Sequence, residues 1–450
     1  MTAPRASHCD DGDAPRCPPL RSPPPRCLPP HCVWWVAALA LAIRLGWGLS
    51  QLAALDADPD SYRQFAQNVV EYGVLGHGTT ASAYRPPLYP GLLVPCVALG
   101  SAADLAIALV QAALGVATVW LTARLASAWG QPRAAPLAAL LVAIDPLLLH
   151  QQTLVMTETL AAALAACSLC MLTRQDRSAS PRGGAAAGAV LGMAALCRPT
   201  FLPLALLAPL ILWRNRAGLR EPESTSVGGS GARSAVAYTA ALLAVLAPWA
   251  LRNAVALGRP VVGTTHGGYT LLLGNNTWFY AHLGEAHWGS VWDAAPLVAE
   301  LQDKWQAAGA DDELSRNQIA YRLAWETIGE QPAMFALAAV DRVGRLWRPW
   351  PHPRAAAEST AERAARYAVG AWYLAQYALA AMGAVAVGRG LWGTGWRWGL
   401  LLALSFTGVH LLYWADMRMR APLVPLIAIL AAVGAASLAS AAARRKARPS

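Results

Sequence analysis

The 450-residue chain is short of charge, with only 14% Asp, Glu, Lys or Arg, against roughly 25% in soluble proteins. That shortage excludes a water-soluble globule. Lysine is nearly missing, 2 residues beside 34 arginines, a bias expected of a GC-rich, bacterial source. Strand-type alternation in segments of about ten residues is absent, which excludes a transmembrane barrel. The cysteines follow no metal pattern either. Cys9, Cys17, Cys27 and Cys32 fit no zinc spacing and the other four lie in or beside apolar segments, so neither a metal site nor a disulfide framework is indicated. No internal repeat is evident, which weighs against a transporter built from duplicated halves.

What the chain has in place of charge is apolar length. It is 56% hydrophobic, with mean hydropathy +0.34. The excess falls in segments of roughly 14 to 25 residues, near the roughly 20 that a helix needs to cross a bilayer. This predicts an all-α polytopic membrane protein with about ten transmembrane helices, near 33–53, 104–124, 134–150, 153–173, 184–197, 200–213, 235–251, 366–388, 398–413 and 421–441. The pieces at 184–197 and 200–213 are short; they are read as a hairpin, because one kinked helix would place Arg444, Arg445, Lys446 and Arg448 outside. Residues 88–99 are apolar but too short to span, which favours a re-entrant or interfacial piece.

The formal charge of +10 would suit nucleic acid only if basic residues clustered on a soluble face. Here they sort by topology. With the N-terminus in the cytoplasm, about half of the 36 Lys+Arg but under a quarter of the 26 acids fall on the cytoplasmic side, as the positive-inside rule requires. Residues 1–32, rich in Pro, Arg and Cys, read as a disordered cytoplasmic tail. The apolar run that follows is too long for a typical cleaved leader, so a retained anchor is expected. Residues 214–234 read as a mobile cytoplasmic loop, and 442–450 as a basic cytoplasmic tail. The external side carries loop 54–103, with interfacial helices, and a large Trp-rich segment, 252–365.

Candidate chemistry gathers on that external side. Asp56, Asp58 and Asp60 lie within five residues directly after the first span. Asp58-Pro59 is also a helix-start signal, and the following helix would show Tyr62, Phe65, Ala66, Val69 and Val70 on one stripe before Gly73 stops it. Capping and base catalysis are compatible, since a cap holds a carboxylate in place. Arg85 closes the loop, Arg198 marks the hairpin tip, Arg252 ends the seventh span, and Arg418 and Arg420 stand between the last two. Each alone suits snorkelling to lipid headgroups; together, on a face where few arginines are expected, they suit an anionic group. Asp145 and Glu158 sit at the same level within apolar sequence, where ionisable residues are costly and functional by default; an ion pair with an arginine competes for Glu158, and Arg44, nearer mid-span, is read as packing or snorkelling. In the large segment, 333–347 is expected as a surface helix bearing Arg342, Arg345 and Arg348. Asn275-Asn276-Thr277 spells a low-weight glycosylation sequon. His266, His282 and His287 have no ligand-like spacing.

The order of short motifs resembles a known family. Asp58-x-x-x-Tyr62, Arg85-Pro86-Pro87-Leu88-Tyr89-Pro90, Met156-Thr157-Glu158, Arg198-Pro199-Thr200, Pro248-Trp249 with Arg252-Asn253, and Arg418-x-Arg420-x-Pro422 resemble the bacterial members of glycosyltransferase family 39, the dolichyl-phosphate-mannose protein mannosyltransferase-like or aminoarabinose-transferase-like enzymes of the GT-C superfamily. The similarity runs over about 33–441. It implies a GT-C-type bundle in the bacterial plasma membrane, with its site facing the periplasm. There it would move a sugar, with inversion, from a polyprenyl-phosphate donor to an extracytoplasmic acceptor of unspecified identity. By the same resemblance an acid of the first external loop acts at the acceptor, a role falling to Asp58 with Asp60 in reserve, and Glu158 matches a family acid. The donor phosphate falls to Arg198, with Arg85, Arg252 and Arg420 behind it. No nucleic-acid partner and no metal is indicated, and membrane lipids are the remaining partner. Larger relatives carry a further C-terminal soluble domain, which leaves the acceptor open. The competing class is a transporter or flippase of a lipid-linked or anionic substrate.

Overall fold

The computed structural model describes residues 30–214, 229–285, 290–353 and 358–446. Residues 1–29 of the expected N-terminal tail, 215–228 of the expected 214–234 loop and 447–450 of the C-terminal tail lie outside the described residues; 30–32 begin the first helix, and 229–234, expected as loop, begin the helix that runs to Leu257. The chain folds as α-helices, with one two-residue hairpin, β1 (Gly76–His77) paired antiparallel to β2 (Thr80–Ala81).

The bundle opens with α1 (Pro30–Ser50). Two short helices follow in the first loop, α2 (Tyr62–Tyr72) and α3 (Leu88–Val97). Then come α4 (Ala103–Ala128), α5 (Ala135–Ala143), α6 (Pro146–Gln151), α7 (Glu158–Ser178), α8 (Pro181–Cys197), α9 (Leu202–Arg214) and α10 (Gly229–Leu257). A long insertion carries five helices, α11 (Gly267–Gly274), α12 (Thr277–Gly284), α13 (Ala295–Ala307), α14 (Glu313–Glu330) and α15 (Pro332–Trp347). The bundle closes with α16 (Thr360–Val387), α17 (Trp396–His410) and α18 (Val424–Lys446).

A helix therefore lies at each predicted span, the third being divided into α5 and α6. Proline explains the division. Asp145 leaves the helical region, its Oδ1 accepts from Leu148 N (3.0 Å), and Pro146 opens α6 without needing an N–H partner. Tyr373 Oη donates 2.9 Å to the same oxygen, so the capping role accounts for this buried acid. Four helical stretches, Gly100–Ala128, Gly231–Leu257, Thr360–Trp392 and Met417–Arg444, are long and apolar enough to cross a membrane. Val255 is 89% exposed on α10 and Val385 82% exposed on α16. Large apolar side chains facing outward on such helices need lipid around them; this is an integral membrane protein.

Small residues let the helices approach. Gly184, Gly188 and Gly192 form a stripe on α8, where a Cβ at Gly188 would stand 2.1 Å from the Tyr238 carbonyl on α10. Gly383 and Gly434 bring α16 and α18 together in the same way. Tyr238 also settles the 184–213 hairpin. Its backbone meets Gly188, yet its hydroxyl donates to the Ala205 carbonyl at 2.9 Å. In one continuous helix those levels would be about 25 Å apart, at roughly 1.5 Å per residue. The chain must turn back, and it does so at Arg198-Pro199.

The main apolar core fills the bundle, and two smaller clusters lie in the insertion, one around Leu271, Leu297, Leu301 and Ile319, the other around Phe279, Tyr280 and Leu283. Helix α15 forms where expected but is no surface platform for arginines. Arg342 and Arg345 are buried. Arg342 donates to Gly274 O, to Asn275 Oδ1 (3.0 Å) and to Leu411 O (2.5 Å), while Arg345 pairs with Asp341. Arg342 thus staples the insertion to the end of α17. Asn275 is itself buried, its amide bonded to Leu271 O and Leu412 O, so the sequon is a structural corner with no room for a glycan.

Candidate active site

The sequence places Asp58 and Asp60 at a helix start, and the structure shows how. Ser61 takes a left-handed backbone, φ 59°, so α2 begins at Tyr62. Asp58 Oδ2 reaches over this turn to accept from Gln64 N at 3.0 Å. Asp58 thus accepts from a first-turn amide while standing four residues ahead of Tyr62; Ser61, not Asp58, holds the N-cap position, and Pro59 does not open the helix as the sequence suggested. Asp58 is half-buried; burial raises its carboxyl above the ordinary range, against the pull of the Gln64, Tyr62 and Arg63 amides. Downstream, Tyr62, Phe65 and Ala66 are buried and Gly73 ends the helix at φ 69°.

The turn leaves Asp60 facing an ion cluster. Asp60 Oδ1 lies 3.0 Å from Arg85 Nη2, and Oδ2 lies 3.4 Å from Arg418 Nη1. Arg418 continues to Glu158 Oε1 at 3.5 Å, and Glu158 is also 3.2 Å from Arg198 Nη2. Five side chains from the first loop, the start of α7, the α8–α9 tip and the 417–423 turn thereby meet. Glu158 is the first residue of α7 and fully buried, where the positive end of the helix dipole favours a carboxylate. The five side chains hold three guanidiniums and two carboxylates, and Asp416 adds a further negative charge beside Arg418. Arg198 Nη1 and Arg85 Nε are buried without a hydrogen-bond partner among the described residues. Such donors cost free energy until something accepts from them.

Aromatic rings wall the cluster. Tyr62 meets Tyr89 edge-on at 5.3 Å between centroids, and the Arg85 guanidinium lies 5.4 Å from the Tyr62 ring. Burial, then the Asp60 and Glu158 charges, overcome Arg85 and Arg198 and push the Tyr62 hydroxyl up to about 12, so it remains a donor at neutral pH. Tyr89 accepts from Gln111 Nε2 at 3.0 Å. His410, at the end of α17, is buried and donates from Nδ1 to Trp414 O (3.1 Å).

Two arginines named from the sequence are engaged elsewhere. Arg252 donates to Ser82 O (2.8 Å), Leu75 O (2.5 Å) and Asn253 Oδ1 (2.9 Å). It ties the first loop to α10, while Asn253 holds Val261 O and Trp249 holds Gly263 O. Arg420 is fully buried, gives its Nη1 to Leu346 O and Arg348 O, and lies 4.2 Å from the Tyr373 ring centroid. Arg44 is also fully buried, bonded to Gln152 Oε1 (2.9 Å) and Val142 O (3.0 Å). Arg418 holds the cluster's centre although sequence reasoning gave it no role of its own. Its partners Asp60 and Glu158 are 358 and 260 residues away, beyond the reach of any local pattern. Among the described residues no three His, Cys, Asp or Glu side chains gather as a metal-binding group.

The described helices define a class by fold: an all-α polytopic membrane protein with a GT-C-type bundle. Comparison with known proteins agrees. Residues 84–229 match the model of the family described as dolichyl-phosphate-mannose-protein mannosyltransferase, a stretch that holds Arg85, Glu158 and Arg198. No curated protein matches the chain. Among solved structures, the oligosaccharyltransferase of Archaeoglobus fulgidus in its apo form matches with TM-score 0.51 and 15% identity, over 94% of this chain and 53% of that one. The same organism's oligosaccharyltransferase AglB, in complex with an inhibitory peptide and a dolichol-phosphate, matches with TM-score 0.49 and 15% identity, over 93% and 52%. ArnT from Cupriavidus metallidurans bound to undecaprenyl phosphate matches with TM-score 0.40 and 16% identity, over 92% and 79%. The chain thus spans about half the length of the oligosaccharyltransferases it matches.

Proposed function

We propose that the protein is a membrane glycosyltransferase that moves a sugar from a polyprenyl-phosphate donor to an acceptor on the extracytoplasmic side, in the plasma membrane of a bacterium, with inversion at the anomeric carbon. The observation that carries this reading is the cluster of Arg85, Arg198 and Arg418 around Asp60 and Glu158, with its three guanidiniums and its two unpartnered guanidinium nitrogens. The family model, which covers Arg85, Glu158 and Arg198, supports the donor class.

The chemistry follows from where charge develops. As the bond from sugar to phosphate breaks, the leaving phosphate gains negative charge. Guanidiniums already in place stabilise that charge without reorganising, an effect worth roughly 3–4 kcal/mol for one donor. Arg198 and Arg418 supply it; Glu158 and Asp60 hold them in position. Asp58, ionised, takes the proton from the attacking acceptor atom, a step worth roughly 10²- to 10⁴-fold. Attack from the face opposite the phosphate inverts the anomeric carbon. A lipid-anchored donor reaches the bundle by lateral diffusion, and its sugar arrives already activated, so no nucleotide site is required.

The test is release of polyprenyl phosphate from a panel of lipid-linked sugars, by purified wild type and Asp58→Asn. Release by wild type alone supports both the transferase and its base. Equal release moves the base to Asp60 or Glu158. No turnover in detergent, where there are no compartments, together with uptake in vesicles would replace the transferase with a transporter.

A further inference from the structure

Beside the arginine cluster stands a row of rings that phosphate chemistry leaves unused. Tyr84 meets His266 edge-on, with centroids 4.5 Å apart, and His266 lies against Tyr269 at 5.3 Å. As whole residues all three are partly exposed, while His266 Nδ1 is closed to water. The row begins at the cluster itself, because the Arg85 guanidinium lies 5.0 Å from the Tyr84 centroid. A buried trio of this kind would be ordinary core; a partly exposed one adjoining three guanidiniums is a surface ready for a ligand.

The row is also rigidly mounted. Thr265 N donates to Ala83 O (3.0 Å) and Gly268 N to Asn317 Oδ1 (2.7 Å). Glu313, at the start of α14, takes Ser82 Oγ at 2.6 Å and Ala83 N at 2.8 Å. Glycine is needed beside His266, since a Cβ at 267 would stand 2.2 Å from the Tyr321 hydroxyl and one at 268 would stand 2.3 Å from Asn317 O. Burial first, and Arg85 next, hold the imidazole down to about 3. At neutral pH it is therefore uncharged, with one donor and one acceptor nitrogen, and its Nδ1 has no partner among the described residues. A neutral imidazole between phenol rings suits hydroxyl groups on a ring with apolar C–H faces. Aromatic walls with a few placed polar groups are the usual lining of small-ligand sites.

We infer that Tyr84, His266 and Tyr269 form the wall that binds the donor's sugar, its ring packed on the tyrosines and its hydroxyls bonded to His266, while its phosphate rests on the arginines. This rests on the function proposed above. The covalent link between sugar and phosphate demands that the two subsites adjoin, as the Arg85–Tyr84 contact provides.

The test measures binding of dolichyl phosphate, bare or carrying mannose, glucose, galactose or arabinose, to the purified full-length chain in detergent, with His266→Ala and Tyr269→Leu alongside. At least one sugar is expected to raise wild-type affinity about tenfold, or about 1.4 kcal/mol. Each variant should lose that gain while its affinity for bare dolichyl phosphate changes less than about twofold. Tyr269→Leu keeps the test decisive should His266→Ala not fold. A sugar preference unchanged in the variants, or an equal loss for bare and glycosylated lipid, would overturn the wall. So would a wild type that binds bare dolichyl phosphate and prefers no sugar, with the transferase reading left standing. A wild type that binds none of these lipids removes the transferase reading and the wall with it.

Discussion

Replacing Glu158 with Gln separates the cluster's two tasks, stability and anion binding, because it moves them in opposite directions. Glu158 is fully buried, with guanidinium nitrogens at 3.2 and 3.5 Å. At an effective dielectric near 20, each contact is worth about 5 kcal/mol of gross attraction, most of it offset by desolvation. Removing one partner of a buried pair costs about 3–5 kcal/mol; Gln keeps the shape and one acceptor oxygen, so about 3 kcal/mol is expected. The same change removes one negative charge from beside Arg198 and Arg418. A phosphate on Arg198 would lie roughly 6 Å from the Glu158 carboxylate, where two like charges cost about 3 kcal/mol. Recovering half of that is about tenfold in Kd. Thermal unfolding in detergent should therefore show a less stable protein, and titration with dolichyl phosphate a tighter one. Weaker binding with unchanged stability would refute the reasoning, because it would mean that Glu158 touches the ligand and does not set the charge.

The Asp58 carboxyl lies above its ordinary 3.8, and only its ionised form can act as a base, so the acid limb of kcat/KM should fall above that value; a limb at or below 3.8 would count against Asp58. The same shift favours the protonated form in the folded state, so its contribution to stability is present below 3.8 and lost as pH rises through the folded value; Asp58→Asn should then leave unfolding at neutral pH unchanged or slightly higher. Gly188→Val would press a side chain into the Tyr238 backbone and should cost about 1–3 kcal/mol in thermal unfolding. Gly91→Ala, at an exposed position of α3 where a Cβ meets nothing within 4 Å, should gain up to about 1 kcal/mol in the same measurement.

Much of the fold was legible because its signals are local. Apolar length marks the spans, Asp58 and Gly73 bracket α2, and the charge at Arg444 to Arg448 favours the reversal that Tyr238 confirms in space. The acid and basic candidates were legible as types on one face, and Asp60, Glu158, Arg85 and Arg198 do meet. What escaped was partner choice. Nothing near Arg418 announces Asp60 or Glu158, and nothing near Arg342 announces Gly274 and Leu411, because those contacts depend on how distant helices cross. Arg252 and Arg420 show the converse. Sequence places both at span ends like the others, but Arg252 lies inside α10 and Arg420 inside the 417–423 turn, where backbone carbonyls of nearby loops take their guanidiniums. Asn275 lost its sequon meaning for a similar reason, since a corner between α11 and α12 buries it.

The Glu313 and Asn317 contacts bear on how such proteins can be re-engineered. One face of α14 grips both Ser82-Ala83 and Gly268, the two loops that carry Arg85 and His266. Transplanting the insertion from another member of the fold would bring a foreign α14 against the native 82–85 loop. A working chimera must exchange residues 82–85 along with the insertion, so that its seam falls in α10 and α16 and leaves this grip within a single parent.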